Sequence, residues 1–127
     1  MNNDRLAAIG VLTAPATEYE IVPGEVWDRP CRMFKNAPPT LRDLYQAASS
    51  SETFLVFEDE RYTFAQTNDR VAQIANILTD QFGVQKGDRV AISMRNFPEW
   101  VFAFNAATSI GAIAVAMNSL WLSDEME

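Results

Sequence analysis

Gly87-Asp88-Arg89-Val90-Ala91-Ile92-Ser93-Met94-Arg95-Asn96-Phe97-Pro98-Glu99-Trp100, followed by a run free of charged residues as far as Leu122, is the stretch that decides the fold. Lys86-Gly87-Asp88 is a turn that releases a buried apolar strand over Arg89 to Met94. Pro98, with φ fixed by its ring and no N–H to satisfy, suits the first position of a helix. Gly111 ends that helix, and Ala112 to Met117 make a second apolar strand. Strand, helix and strand in this order form a βαβ unit. Ser123-Asp124-Glu125-Met126-Glu127 then reads as the first turn of another helix with Ser123 as its cap. A parallel sheet needs further strands and covering helices on both faces, so these residues are expected to be an α/β unit interrupted in mid-fold.

Upstream, Thr63 and Gln66 make a capping box ahead of the longest helix, Phe64 to Phe82. Its apolar positions Phe64, Val71, Ile74, Ala75, Leu78 and Phe82 recur three or four apart, which predicts one buried face. Gly83 is the expected left-handed stop. Thr53 to Phe57 is rich in β-formers, Glu58-Asp59-Glu60 is a polar turn, and Arg61 to Thr63 returns beside it as a hairpin. Thr40 is placed to cap a helix from Leu41 to about Ser49, with Asp43 at its positive end and Leu41, Leu44, Tyr45 and Ala48 facing inward. Residues 1–39 carry Pro15, Pro23, Pro30, Pro38 and Pro39. Prolines at this density predict an extended surface arm, with at most a short helical turn at Asp4 to Ile9. Tyr19, Ile21, Val22, Val26 and Trp27 need a surface to lie on, and an arm of this kind packs on its own domain more often than on a partner. The organisation expected is therefore an arm over 1–39 and the start of an α/β domain over 40–127.

Composition removes several function classes. The net charge is −7 and no Lys/Arg cluster is present, so nucleic acid, which requires a basic face, is an unlikely partner. There is no histidine, which excludes Ser-His-Asp and Cys-His mechanisms and zinc sites with imidazole ligands. A single Cys31 cannot close an internal disulfide, and the first residues lack the basic start and apolar core of a secretory signal. A reducing cytoplasm is the expected location. The uncharged run from Trp100 to Leu122 matches the roughly 20 residues of a membrane span in length. It contains Asn105, Thr108, Ser109, Gly111, Asn118 and Ser119, however, and is flanked by acid downstream, so it reads as a buried helix plus a buried strand. Glu58-Asp59-Glu60 has no fourth ligand in register and reads as a solvated turn rather than a metal site.

Four segments together carry a resemblance. Tyr62-Thr63-Phe64-Ala65 opening an amphipathic helix, Gly83 through Ile92, Asn96-Phe97-Pro98-Glu99-Trp100, and Ala107 through Val115 resemble, in order and spacing, the beginning of the adenylate-forming acyl-CoA synthetases, the AMP-binding superfamily. The resemblance runs from about Thr40 to Glu127. Gln66-Thr67 stands where that family commonly has Glu-Leu, and Ala116 where a proline is usual; both positions are structural. It implies a Rossmann-like parallel sheet flanked by helices, and an enzyme that joins a carboxylic acid to ATP and passes the acyl group to coenzyme A.

Phosphoryl chemistry of that kind needs a Gly/Ser/Thr-rich loop with a lysine and carboxylates that place Mg²⁺. Those motifs are expected beyond Glu127, so the resemblance assigns no catalytic, cofactor-binding or metal-binding residue to this chain. ATP, Mg²⁺ and coenzyme A are implied for the whole enzyme and none for these residues alone. Arg95 and Asn96 fall at the carboxyl end of a strand, the edge where open α/β sheets bind ligands, yet a helix cap or loop contact is the expected role, with Asn96 capping the helix at Pro98. The function expected is an ATP-dependent ligase of fatty or related hydrophobic acids. Its partners would be the remainder of its own polypeptide and a second copy docked through the arm or a sheet edge. The rival is a free-standing α/β interaction module with no catalysis.

Overall fold

The computed structural model describes residues 3–125, and the chain divides into two compact units, Met1–Pro38 and Pro39–Glu127. In the first unit, helix α1 (Asn3–Leu12) precedes an antiparallel hairpin of β1 (Ile21–Val26) and β2 (Arg29–Phe34). Helix and hairpin replace the extended arm expected from the prolines. Pro23 faces Arg32 and Pro30 faces Glu25 across the ladder. In a ribbon of two strands each strand is an edge, and an edge tolerates residues that cannot donate a ladder hydrogen bond. Trp27 and Asp28 join the strands with φ of 51° and 59°, the mirror-image turn whose twist suits a two-residue hairpin. The Glu20 carboxylate accepts from the Ala16 N–H at 2.9 Å and from the Lys35 ammonium at 3.0 Å. The first of these bonds, then Lys35, holds its pKa below the ordinary carboxylate value.

The second unit contains α2 (Leu41–Ala47), an antiparallel hairpin of β3 (Thr53–Phe57) and β4 (Glu60–Thr63), α3 (Phe64–Asp80), β5 (Arg89–Ile92), α4 (Pro98–Ser109), β6 (Ile113–Ala116) and a 3-10 turn at Ser123–Glu125. Both capping boxes form. Thr40 Oγ1 accepts from the Asp43 N–H at 3.2 Å and the Asp43 carboxylate answers at the Thr40 N–H. Thr63 and Gln66 exchange the same pair of bonds at 3.1 and 2.9 Å. The next two N–H groups of α3 are satisfied from outside the helix, Phe64 by Glu52 O and Ala65 by Ser50 O, so hairpin and helix start as one piece. The cap expected of Ser123 falls on a side chain outside those described.

β5 and β6 pair in parallel, Arg89 against Ile113 through Ile92 against Ala116, with α4 as the crossover. The ladder is shorter than the strands expected over 89–94 and 112–117. Its register is set at the turns before each strand: Gly87 N–H donates to Gly111 O at 2.9 Å and Ile113 N–H to Asp88 O at 2.7 Å. Gly111 has φ of +79°, and a Cβ there would stand 3.0 Å from Lys86 Cγ. Gly111→Ala should therefore lose about 1 to 2 kcal/mol to left-handed strain. Gly10→Ala, in α1 with nothing within 4 Å, should gain up to about 1 kcal/mol. Urea midpoints of the two variants measure both signs, and a neutral Gly111→Ala would contradict the left-handed strain assigned to that position.

The core lies between α3 and α4. Val71 and Ala75 meet Ala106, which is fully buried, with Ile74, Leu78 and Ile110 packed around them. Small side chains at Ala75 and Ala106 let two helices approach closely enough to exclude water. Ile92, Phe102, Ala107 and Ala112 are buried as well. Three expectations about packing need correction. Leu41 and Leu44 of α2 remain 45% and 47% exposed, because the helix is held through Tyr45. Thr108 gives its proton to Phe104 O, so the Tyr45 hydroxyl donates to Thr108 Oγ1 at 3.2 Å, and Asn68 Nδ2 donates to Tyr45 O at 3.1 Å. Phe104 is half-buried, stacked on Trp100 with ring centres 5.2 Å apart. The parallel pair is covered on one face only: Ile92 and Ala112 are buried and Val90 and Ala114 half-buried, whereas Ala91, Ile113 and Val115 are exposed.

Candidate functional site

The site to test is the carboxyl end of the parallel pair, since there the backbone turns away from the sheet and leaves a crevice for ligands. β5 stops at Ile92, whose carbonyl still accepts from the Met117 N–H at 3.0 Å. Residues 93–97 then cross to α4. Phe97 is the residue before the helix, with φ −91° and ψ 166° and no side-chain cap. Asn96 is thus not the cap. Pro98 occupies the first helical position and forces its extended neighbour, Phe97, into the capping place. The crossing segment is fixed by a tight turn, Phe97 N–H to Arg95 O at 2.7 Å, and by the Phe97 ring, which meets Phe57 of β3 edge-on at 5.3 Å. Asn96 lines a shallow recess with Leu55, Phe57 and Val101. Arg95 is exposed, and its guanidinium has no partner among the described residues.

The acidic turn is a hairpin loop. Glu58, at φ 47°, and Asp59 connect β3 to β4. The Arg61 guanidinium donates to the carbonyls of Glu58 and Glu60, and the Tyr62 hydroxyl donates to the Glu60 carboxylate at 2.7 Å. That last bond, then desolvation and the charges of Glu60 and Glu99, raises the Tyr62 pKa above the ordinary phenol value against the opposing Arg70. Tyr62 therefore keeps its proton at neutral pH and acts as a hydrogen-bond donor to Glu60.

ATP and Mg²⁺ can be tested against these groups. A triphosphate cradle takes converging backbone N–H groups and a lysine, and Mg²⁺ takes oxygen ligands gathered at one point. Lys86 lies at the opposite end of β5, before the strand, and Lys35 follows β2. Among the described residues no group of three His, Cys, Asp or Glu stands where it could hold a metal ion. Among the described residues these groups do not gather into a ligand set for Mg²⁺, and no step is assigned through it or through ATP. Among the described residues no helix is long and apolar enough to cross a membrane. Sequence reasoning placed Arg95 and Asn96 at the carboxyl end of a strand over 89–94; β5 stops at Ile92, and both residues fall in the segment that crosses from it to α4. The same reasoning passed over Thr67 and Asn105, two buried polar residues on the facing sides of α3 and α4, whose only signal was a polar residue on an otherwise apolar helical face.

An α/β unit built on a parallel strand pair with a helical crossover is the class that this geometry defines. The sequence profile described as AMP-binding enzyme matches residues 44–127. The chain is 34% identical to the crotonobetaine/carnitine–CoA ligase of Salmonella paratyphi A, over 58% of this chain and 15% of the relative. It is similar to the solved structure of the anthranilate CoA ligase AuaEII in complex with anthranoyl-AMP, at 29% identity and a TM-score of 0.64 over 68% of this chain and 17% of that one. The N-terminal domain of FACL13 from Mycobacterium tuberculosis is similar at 30% identity and a TM-score of 0.65, over 70% of this chain and 24% of that one. The chain belongs to the AMP-binding enzyme family. It spans about 15% of the length of the curated relatives that it matches, and its α/β fold is that of part of the N-terminal domain of adenylate-forming enzymes.

Proposed function

We infer that these residues are the scaffold at the start of an ATP-dependent acid:CoA ligase. The whole enzyme activates a hydrophobic, fatty carboxylate as its acyl-adenylate and transfers the acyl group to coenzyme A. The single observation that carries this reading is the family match over residues 44–127, a span in which several residues have clear structural tasks. Thr63 caps, Gly83 and Gly111 turn, and Pro98 starts a helix. ATP, Mg²⁺ and coenzyme A are cofactors and substrates of the whole enzyme, held by residues outside this chain, and the chain alone is inactive. Its first partner is the rest of its own polypeptide, and its location is the cytoplasm.

The preference for fatty acids rests on overall likeness to the fatty acyl-CoA ligase branch, and no pocket residue is offered in support of it. AMP release that depends on both acid and coenzyme A, measured on the whole polypeptide with straight-chain acids of increasing length and with carnitine and anthranilate, tests it. Release should rise with chain length. A preference for either polar acid would remove the fatty assignment and leave the ligase class standing, whereas no acid-dependent AMP release at all would remove both and favour the non-catalytic module.

A further inference from the structure

Thr67 on α3 and Asn105 on α4 face each other's helices and are 2% and 9% exposed. The Thr67 hydroxyl is enclosed and has no hydrogen-bond partner. The Asn105 backbone carbonyl accepts from Thr108; its side-chain amide makes no hydrogen bond to the described residues, but unlike the Thr67 hydroxyl it is not sealed, the residue being 9% exposed. Both residues line one cavity of about 260 Å³ within the second unit. The rest of its wall is mainly apolar, with Leu44, Val101, and Phe54 stacked on Phe64 with ring centres 4.5 Å apart, but it includes Tyr45, whose hydroxyl is hydrogen-bonded to Thr108, and Asn68, whose Nδ2 donates to Tyr45 O. A polar group left unpaired in such a place costs folding free energy, and asparagine inside a helix adds a propensity penalty. Valine at one position and leucine at the other would avoid both costs, so the pair is explained by something polar that enters the cavity.

Size and charge narrow what enters. A closed apolar cavity of about 150 Å³ accepts benzene; this one, open to solvent past Leu44 and Phe54, which are 47% and 40% exposed, has room for a ring and a short substituent. An amide and a hydroxyl each offer a donor and an acceptor, and no Lys, Arg, Asp or Glu lines the wall. A carboxylate or ammonium buried here would lack a counter-charge. We propose that this cavity is a binding site for a small uncharged amphiphile, a phenyl-sized body bearing a hydroxyl or amide that hydrogen-bonds to Asn105 and Thr67. The site lies away from the carboxyl edge of β5 and does not depend on the ligase reading.

The 127-residue chain, at concentrations where it sediments as a monomer, is titrated with benzyl alcohol, toluene and benzoate, with binding followed by ligand-observed NMR and by thermal shift. Benzyl alcohol should bind saturably at one site, roughly tenfold tighter than toluene, the ratio expected for one net hydrogen bond. Benzoate should not bind. Asn105→Leu should abolish the preference while keeping toluene. Ala48, which is exposed where it lines the cavity, can be changed to Phe without touching the core, and Ala48→Phe should block both probes. No saturable binding of benzyl alcohol, which leaves the cavity to water, equal affinity for alcohol and toluene, or full binding by Ala48→Phe would each overturn the proposal. If Asn105→Leu does not fold, the wild-type preference and Ala48→Phe decide it.

Discussion

Phe102→Ala is expected to cost about 3 to 5 kcal/mol of folding stability. The side chain is 5% exposed, and its ring meets Tyr62 of β4 nearly at right angles with centres 5.2 Å apart. It sits on α4, the element that packs against α3, α2, β3, β5 and β6 alike, so no single neighbour can collapse into the space left behind. A loss of this size is comparable with the whole stability of many small domains. The two aromatic residues of α4 separate the alternatives. Phe104, half-buried and stacked on Trp100, should lose only about 1 to 2 kcal/mol when cut to alanine. Urea unfolding of both variants checks the order, and a Phe102→Ala loss below about 1 kcal/mol would mean that α4 is not the centre of the unit.

The second large effect concerns the bare face of the parallel pair. Ile113 and Val115 are 48% and 37% exposed, and Leu120 and Leu122, which follow β6, are about 70% exposed at 71% and 67%. Among the described residues the β5–β6 sheet has two strands, so each outer edge offers unpaired backbone groups. Apolar patches beyond a few hundred Å² and open strand edges both seek partners. The isolated chain should therefore self-associate in a concentration-dependent way and bind a dye specific for exposed apolar surface. Ile113→Lys combined with Val115→Lys should move it toward monomer, because a charge on that face resists desolvation. Sedimentation across a concentration series reads this out. A well-folded monomer at every concentration, with no dye binding, would contradict the prediction and support the free-standing module.

Local signals in the sequence translated well. The two capping boxes, the left-handed glycines at 83 and 111, and Pro98 at the head of α4 each depend on a few neighbouring residues, and their physics is complete at that range. What was lost depended on context. Pro23 and Pro30 are helix breakers in any setting, but whether they break a strand depends on whether that strand is an edge. Asn96 looks like a cap until the proline two residues on claims the position for Phe97. Leu41 and Leu44 carry the helical period of a buried face, yet burial requires a surface opposite them. The carboxyl edge of β5 was legible because topology alone defines it. Thr67 and Asn105 were not, since their juxtaposition exists only once α3 and α4 have packed.

The central claim is that these residues build the frame of an adenylate-forming ligase and contribute none of its reactive groups. Acid-dependent exchange of pyrophosphate into ATP measures adenylate formation directly, without coenzyme A. It should be run in parallel on the 127-residue chain and on the whole polypeptide that its gene encodes, with a panel of fatty and aromatic acids. The account predicts exchange at the blank level for the chain and acid-dependent exchange for the whole polypeptide. Exchange above the blank by the chain alone, or none by the whole polypeptide with any acid, would contradict it.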